Sequence, residues 1–447
     1  REIPPTYQRP APLPTTPDFE TTPYRTVAFD ELLAVLGNTI GDNDDENSNS
    51  TIFWDPETPQ YRALDWLANH DKWYYEKGGD PSQISLQALH ERYALAVFYF
   101  SLGGPTWPEP TSFLTPLSVC DWKNMYRDDP AAESWGVWCS YEDANVVNEL
   151  TAIRDILQGS IPTEIALLSH LNSVNFVSNP GLNGTIPAQL GQLTILSELL
   201  IRDCSLSGII PTEIGLLTNL RLLDLEGNQM TGTIPTELGR LSELWYLNLK
   251  KNKMSGALPR TMGGCKALDF LELSSNKFRG PLPTELGRLF KLYYVNLNRN
   301  KISGTIPTEF GQLLELVHIH AENNQLTGTI PREIGGCSNL QDLSLKSNQI
   351  QSPIPTELCE LPMLETLDLS TNNLTAFPVE LANCDSALRI LLNSNRIQGT
   401  LPNRMTSGIC NILQSMDIQN NQMTGTIPTE VGNCDNHLNQ FVLASNN

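Results

Sequence analysis

The sequence predicts an α/β solenoid, a right-handed superhelix with a parallel sheet on its concave face and a helical cap at its N-terminal end. A segment of about 24 residues repeats through most of the 447 residues. Leucines alternate with other residues inside each copy, and an asparagine returns at the same place in nearly every copy. Such repeats cannot bury an apolar face singly, so they stack into one elongated unit with a shared core.

The repeat is most regular in the middle of the chain. Successive copies from Leu220 read LRLLDLEGNQMTGTIPTELGRL, LWYLNLKKNKMSGALPRTMGGC and LDFLELSSNKFRGPLPTELGRL, with the pattern LxxLxLxxNxLxGxIPxxLGxL. The asparagine column has a spacing of 24 residues from Cys204 to Asn372 and of 23 to 26 elsewhere. Its members, which predict about 13 turns, are Asp155, Asn179, Cys204, Asn228, Asn252, Asn276, Asn300, Asn324, Asn348, Asn372, Asn395, Asn421 and Asn446.

Each column of the repeat has a physical role. The period-2 alternation of LxL turns the leucines of a short strand toward the core. An asparagine amide donates and accepts hydrogen bonds at once, so it satisfies backbone groups that the bend leaves buried. The glycine of GxIP permits a tight backbone conformation, and the following proline fixes φ.

This pattern resembles the extracellular leucine-rich repeat (LRR) domains of plant receptors and inhibitor proteins, whose hallmark is LxGxIPxxLGxL. The resemblance covers about two thirds of the chain and implies a leucine-rich repeat superhelix. Such domains open with a helix and a cysteine pair around Trp-rich sequence, here RYALAVFYF, Cys120-Asp-Trp and Trp135-Gly-Val-Trp-Cys139. The TGTIPTE variant and the TPQYRALDWL lead-in are similar to LRR proteins of algae and diatoms. The prolines of the pattern are Pro162, Pro187, Pro211, Pro235, Pro259, Pro283, Pro307, Pro331, Pro355, Pro378, Pro402 and Pro428.

Three domains are predicted. Residues 1–57 form a Pro/Thr-rich extended arm with a short amphipathic helix and an acidic linker, residues 58–145 a helical cap with a cysteine pair, and residues 146–447 the solenoid. The arm helix either docks on another molecule or packs on its own cap. Its apolar positions, at helical spacing, are Phe29, Leu32, Leu33 and Leu36.

Charge excludes two classes of partner. The chain has 29 Lys+Arg against 50 Asp+Glu, a net charge of −21, whereas nucleic acids and anionic membranes need clustered cations. The repeats carry only 27 acidic and 20 basic residues, so the acidity belongs chiefly to the arm and cap. The longest apolar run, Ala94–Leu102, is about half of a membrane span. The chain opens without methionine or an apolar leader, so we expect that a signal segment has either been removed or was never there.

Cysteines and sequons predict an oxidising, extracellular setting. The resemblance implies a Cys120–Cys139 disulfide. Cys337 and Cys359 occupy near-equivalent positions in adjacent turns, which predicts a second bridge. The predicted glycosylation sites are Asn49, Asn183 and Asn373.

The distance between turns limits which of the remaining cysteines can form disulfides. Cys265 lies three turns, roughly 15 Å, from Cys337, beyond the roughly 7 Å that a disulfide allows between Cα atoms. Cys265 and Cys204 are therefore predicted to be free thiols. Only neighbours can pair, leaving one over, among Cys384, Cys410 and Cys434.

Aromatic side chains mark a candidate ligand-binding surface on the concave face. Outward-facing strand positions carry Tyr246, Phe270 and Tyr294 in consecutive turns, with Trp245 and Tyr293 one position earlier. Exposed aromatic rings suit protein hot spots or stacking against sugars. The alternative is that tyrosine and phenylalanine simply favour strands. The same surface continues to His318 and His320.

Metal binding and catalysis have little support in the sequence. His318, His320 and Glu322 alternate along one strand with Asp342 one turn away, a set able to hold a divalent metal. Polar surface is the favoured interpretation of these side chains, so no metal or cofactor is predicted. The chain has no nucleophile elbow, phosphate loop or HExxH motif, and we predict that it is not an enzyme.

The predicted function is non-catalytic extracellular recognition or scaffolding, with a protein, peptide or glycan ligand on the concave face. The alternative is a structural protein that self-assembles head-to-tail into an extracellular fibre, through its arm and the uncapped strand near residue 447. A receptor ectodomain would require a membrane span or kinase outside this sequence, so that reading expects the chain to be a fragment.

Overall fold

The computed structural model describes residues 27–40, 55–76, 81, 84–107, 113–115, 117–122, 135–140, 146–154, 156–377, 384, 386–401, 412–429, 431 and 438–446. The chain divides into two compact units, Arg1–Leu86 and Gln87–Asn447. The domain boundaries predicted after residues 57 and 145 remain predictions. No helix among the described residues combines the length and apolar character that crossing a bilayer requires.

The described residues of the first unit form the helices α1 (Val27–Ile40), α2 (Pro59–Asn69) and α3 (Lys72–Glu76). The Thr58 side chain caps α2, because its hydroxyl accepts a hydrogen bond from the Tyr61 backbone N–H at 3.2 Å. The Phe29 ring of α1 lies 5.4 Å from the Tyr61 ring.

The apolar side of α1 is turned inward. Phe29, Leu32 and Leu36 are buried, and only Leu33 of the predicted docking positions is partly exposed. The structure therefore follows the second alternative, in which α1 packs on its own unit. The docking role assigned to these side chains is wrong for this conformation, because burial leaves them no surface to offer another molecule.

Helix α4 (Leu86–Ser101) and the antiparallel pair of β1 (Trp135–Cys139) and β2 (Val147–Ile153) stand at the start of the repeats. The Phe98 ring of α4 lies 5.7 Å from the ring of Phe176 in the first repeats. The Arg92 guanidinium lies 4.8 Å above the Trp122 ring and donates to two backbone carbonyls. The contact of Phe98 with Phe176 covers apolar surface at the start of the repeat stack, which a terminal repeat would otherwise expose.

His90 of α4 supplies a pH prediction. Burial lowers the pKa of His90, and its Nε2 has no hydrogen-bond partner among the described residues. Below pH 6.5, the ordinary pKa of histidine, His90 binds a proton in the unfolded chain more readily than in the folded chain. Stability should therefore fall as the pH drops below 6.5, and His90→Gln should weaken that fall. Urea unfolding at several pH values measures the slope, with the exposed His170→Gln as the control. Equal slopes for His90→Gln and wild type would contradict the prediction.

The repeats build one long sheet, with 14 strands in the described part of the chain. All neighbouring strands except β1 and β2 are parallel and follow chain order. The remaining strands are β3 (Ser173–Val177), β4 (Glu198–Arg202), β5 (Leu222–Asp224), β6 (Tyr246–Asn248), β7 (Phe270–Glu272), β8 (Tyr294–Asn296), β9 (His318–His320), β10 (Asp342–Ser344), β11 (Thr366–Asp368), β12 (Arg389–Leu391), β13 (Ser415–Asp417) and β14 (Gln440–Val442).

The return path of each turn runs through the GxIP segment. Gly232 and Gly256 have φ of +77° and +84°, which explains why glycine occupies this column. The proline that follows is extended, as at Pro235 with φ of −66° and ψ of 141°. Short 3₁₀ helices then stack on one another, at Thr163–Leu167, Ala188–Gln192, Thr212–Leu216, Thr236–Arg240, Arg260–Gly264, Thr284–Arg288, Thr308–Gln312, Arg332–Gly336 and Thr356–Leu358. Where the structure describes the chain, shorter strands form three smaller sheets, from Gly159–Ser160, Leu182–Asn183, Ser255–Gly256, Lys277–Gly280, Lys301–Gly304, Gln325–Gly328, Gln349–Ile350, Gln398–Gly399 and Gln422–Met423.

The asparagine column joins each turn to the one before it. The Asn252 Oδ1 accepts from the Met230 N–H at 2.9 Å, and its Nδ2 donates to the Leu225 carbonyl at 2.8 Å, both in the preceding turn. The same Nδ2 lies 3.1 Å from the Leu249 carbonyl of its own turn. The residue before each column position is left-handed, as at Lys251 with φ of +52°. This bend is what exposes the backbone groups that the amide satisfies.

Two disulfides lie among the described cysteines. Cys120 pairs with Cys139, as the resemblance implies. The predicted Cys337–Cys359 bridge is wrong, because Cys359 pairs with Cys384. Cys337 occupies the buried leucine position that ends a 3₁₀ helix, where its Sγ donates to the Phe310 carbonyl at 3.1 Å.

The free cysteines of the described residues are core side chains. Burial raises the pKa of Cys204 to about 11, that of Cys265 to about 12 and that of Cys337 to about 11. These thiols therefore stay protonated and unreactive at neutral pH. Cys410 and Cys434 lie outside the described residues.

Candidate functional site

The outward-facing side chains of β5 to β10 form the candidate site, called here the sheet surface. The parallel register places Leu222, Tyr246, Phe270, Tyr294, His318 and Asp342 opposite one another in order, one in each strand. Positions 24 apart in the sequence thus become nearest neighbours across the sheet. The predicted binding residues fall within this register.

Three rings of the sheet surface stack directly, and we call Tyr246, Phe270 and Tyr294 the aromatic row. Ring centroids of Tyr246 and Phe270 are 4.6 Å apart with planes 4° from parallel. Those of Phe270 and Tyr294 are 4.5 Å apart at 5°. Trp245 and Tyr293, one residue before their strands, are 43% and 46% exposed. The aromatic row is therefore a continuous apolar strip with exposed rings beside it.

A polar row lies two residues after the aromatic row in each strand and hydrogen-bonds its tyrosines. The Asn296 Nδ2 donates to Glu272 Oε2 at 2.9 Å and to the Tyr294 hydroxyl at 3.1 Å. The Asn248 Nδ2 makes the same contact with the Tyr246 hydroxyl at 3.4 Å. Burial is the main cause that raises the pKa of both tyrosines, so both stay protonated at neutral pH. Hydrogen bonding of this kind holds rings in one orientation before any ligand arrives.

One end of the aromatic row carries an ion cluster. The Arg202 guanidinium lies 3.5 Å from Asp224 and 3.4 Å from Glu226, and Lys250 and Lys251 also approach Glu226. Burial raises the pKa of Asp224. Burial also acts to raise the pKa of Glu226, but the Asn248 hydrogen bond and the cations around it hold that pKa below its ordinary value.

The other end of the aromatic row carries the histidines. The His318 Nδ1 lies 2.6 Å from Asp342 Oδ2 across the β9–β10 pair. One ligand atom from each of His318, His320 and Asp342 lies within 4.8 Å of the others. Glu322, which the sequence placed in this set, instead accepts a hydrogen bond from the Ser344 hydroxyl at 2.9 Å. The third member of the set is therefore Asp342.

Other predicted residues lie away from the sheet surface. Asn183 is exposed and Asn373 is partly exposed, while Asn49 lies outside the described residues. Both described sequons stay predictions of glycosylation. The polar row of Asn248, Glu272 and Asn296 was not predicted, although the sequence contains its signal. Each of these residues follows an outward aromatic position by two, which places both side chains on one side of a strand.

Comparison with known proteins identifies the repeat. A family model described as Leucine Rich Repeat matches residues 219–241, 267–289, 291–313, 315–337, 339–361, 363–384 and 413–434. The matched segments contain the asparagine and proline columns described above, and five of the seven also contain the GxIP glycine. No curated protein matches the chain.

Solved structures share the fold. The plant peptide hormone receptor RGFR1, in complex with RGF2, is 35% identical with a TM-score of 0.62, over 65% of this chain and 46% of that one. The LRR ectodomain of the receptor kinase GASSHO1/SCHENGEN3 from Arabidopsis thaliana, in complex with CASPARIAN STRIP INTEGRITY FACTOR 2, is 34% identical with a TM-score of 0.71, over 80% and 41%. This chain thus spans less than half of either plant receptor chain.

A third structure, an LRR protein from Leptospira interrogans, is 30% identical with a TM-score of 0.51, over 66% of this chain and 79% of that one. The similarity therefore extends beyond the plant receptors. The chain belongs to the leucine-rich repeat proteins, and its repeats closely match plant receptor-kinase ectodomains in structure.

Proposed function

We propose that the chain is a non-catalytic extracellular LRR protein whose concave sheet surface binds a peptide or protein segment. The aromatic row is the observation that carries the proposal. Its two tyrosines are held by hydrogen bonds from Asn248 and Asn296, and the exposed Trp245 and Tyr293 flank it. Rigid aromatic side chains give contact area with little loss of side-chain entropy.

The strip suits an extended chain better than a compact ligand. Consecutive strands lie about 4.8 Å apart, so the three rings of the aromatic row span about 10 Å. Charged groups stand at both ends, with Arg202 and Glu226 at one and His318 and Asp342 at the other. An extended peptide can place apolar side chains on the row and polar groups at its ends.

The similar plant receptors support a peptide ligand. RGFR1 is a peptide hormone receptor in complex with RGF2, and the GASSHO1/SCHENGEN3 ectodomain is in complex with CASPARIAN STRIP INTEGRITY FACTOR 2. Two disulfides support an extracellular setting for this chain, since such bonds persist in oxidising compartments.

The test begins with a peptide-display selection against the wild-type chain. Changing Tyr246, Phe270 and Tyr294 together to alanine should weaken binding of the selected peptide by at least about 100-fold, since each buried hot-spot ring contributes about 1–2 kcal/mol. Titration calorimetry measures affinity, and thermal melting of the free variant checks its fold.

A matched control variant distinguishes binding at the sheet surface from nonspecific hydrophobic binding. Ile209, Leu216 and Phe290 are exposed apolar side chains outside the long sheet, and their triple alanine variant should bind as wild type does. A selected peptide that binds the aromatic variant at full affinity would contradict the proposal. A selection that yields no binding peptide would contradict the ligand class.

A further inference from the structure

His318, His320 and Asp342 form a cluster that ligand binding by the aromatic row does not require. His318 and His320 lie on β9 two residues apart, so both side chains leave the same side of the strand. Their ring centroids are 6.0 Å apart. Asp342 faces His318 from the neighbouring strand. Three metal-binding side chains thus converge from two rigid strands.

The hydrogen-bonding capacity of the His320 ring is not fully used. Its Nε2 is shielded from solvent and has no hydrogen-bond partner among the described residues. A buried nitrogen without a partner costs free energy, and a structure that retains one invites an explanation. A bound cation is the kind of partner that an unprotonated imidazole nitrogen accepts.

The surroundings of His320 favour a cation. The carboxylates of Glu322, Asp342 and Glu272 all lie close enough to act on this ring. The Asp342 carboxylate would neutralise part of the charge of a divalent ion, and the two imidazoles would supply nitrogen ligands.

We propose that His318, His320 and Asp342 hold one divalent transition-metal ion of the Zn²⁺ type on the sheet surface. Imidazole nitrogen and carboxylate oxygen bind Zn²⁺ at about 2.0–2.2 Å, which puts neighbouring ligand atoms roughly 3.3 Å apart. The observed separations reach 4.8 Å, so binding needs side-chain shifts of about 1 Å. All three residues are partly exposed, which leaves their side chains room for these shifts.

The coordination would be incomplete on the protein side. Zn²⁺ takes about four ligands, so three side chains leave one position for water or for a donor atom of a ligand. Calcium and magnesium prefer oxygen donors and should not compete. The proposal concerns the metal alone and stands or falls separately from peptide binding.

The test is a Zn²⁺ titration of the metal-stripped full chain, made without a polyhistidine tag. We expect one saturable site by calorimetry, and Co²⁺ in its place should give the intense visible absorption of tetrahedral coordination. His320→Ala and Asp342→Asn should each weaken Zn²⁺ binding at least about tenfold. Asp342→Asn keeps the size of the side chain, so its melting curve without metal should match that of wild type.

His170→Ala is the matched control, because it removes an exposed histidine outside the cluster and should leave the affinity unchanged. The absence of a saturable site would overturn the proposal, as would a weakly absorbing octahedral Co²⁺ spectrum of the wild-type chain. Equal Zn²⁺ affinity in wild type and Asp342→Asn would also overturn it. Peptide binding is not measured in any of these arms.

Discussion

Alanine in place of Asn252 is expected to lower the free energy of unfolding by about 3 kcal/mol or more. The change removes the acceptor of the Met230 N–H and the donor to the Leu225 and Leu249 carbonyls. These backbone groups are buried, and each one left without a partner costs about 1–3 kcal/mol. Because two of them belong to the preceding turn, the damage spreads across the interface between turns. Urea unfolding followed by circular dichroism measures the loss.

Asn219→Ala is the matched control for this experiment. The Nδ2 of Asn219 makes one hydrogen bond, to the Thr194 carbonyl at 2.9 Å, at an exposed position. Its loss should change stability by no more than about 0.5 kcal/mol. Equal urea midpoints for Asn252→Ala and Asn219→Ala would show that the asparagine column contributes no special stability.

Gly311→Ala is expected to destabilise the chain by about 3 kcal/mol through a backbone collision. A Cβ added at Gly311 would lie 2.0 Å from the carbonyl oxygen of Glu333 and 2.6 Å from its carbonyl carbon. Those atoms belong to the 3₁₀ helix of the next turn, whose backbone cannot rotate aside as a side chain would. The two turns must separate, and their shared leucine core loses contact. Thermal and urea unfolding both report the change.

Gly280→Ala separates this collision from ordinary glycine strain. Gly280 has φ of +82°, but a Cβ there meets only the Ala257 Cβ at 3.6 Å, an ordinary contact. Its cost should be the backbone penalty of about 1–2 kcal/mol for a left-handed alanine. If Gly280→Ala and Gly311→Ala lower the free energy of unfolding equally, close packing of the 3₁₀ helices is not the reason for glycine at position 311.

The repeat itself could be predicted because every column has a local cause. Leucine alternation, the asparagine amide, the GxIP glycine and its proline each act within one turn or between adjacent turns. The aromatic row follows from the same logic, since Tyr246 and Phe270 share a column. A constant spacing of 24 residues converts sequence position directly into position on the sheet.

Features that depend on offsets within a turn could not be predicted in the same way. Cys337 and Cys359 appear near-equivalent in sequence, yet two residues of offset put Cys337 in the core and leave Cys359 able to reach Cys384. The environment of His320 could not be read from the sequence either, because it depends on how tertiary packing shields the Nε2 atom from solvent. The packing of Phe29 against Tyr61 joins segments that share no repeat.

The narrow spacing of the stacked rings restricts what can approach them. At 4.5 and 4.6 Å between centroids, no planar group can slide between neighbours, because insertion would require about 7 Å. A ligand group that approaches the aromatic row between its ends must therefore contact ring edges, which carry the positive part of the aromatic quadrupole. Carbonyl oxygens suit such edges, whereas a flat cation that stacks on a ring face can do so at the exposed Trp245 or Tyr293. Selectivity by ring orientation is thus built into the distance between strands.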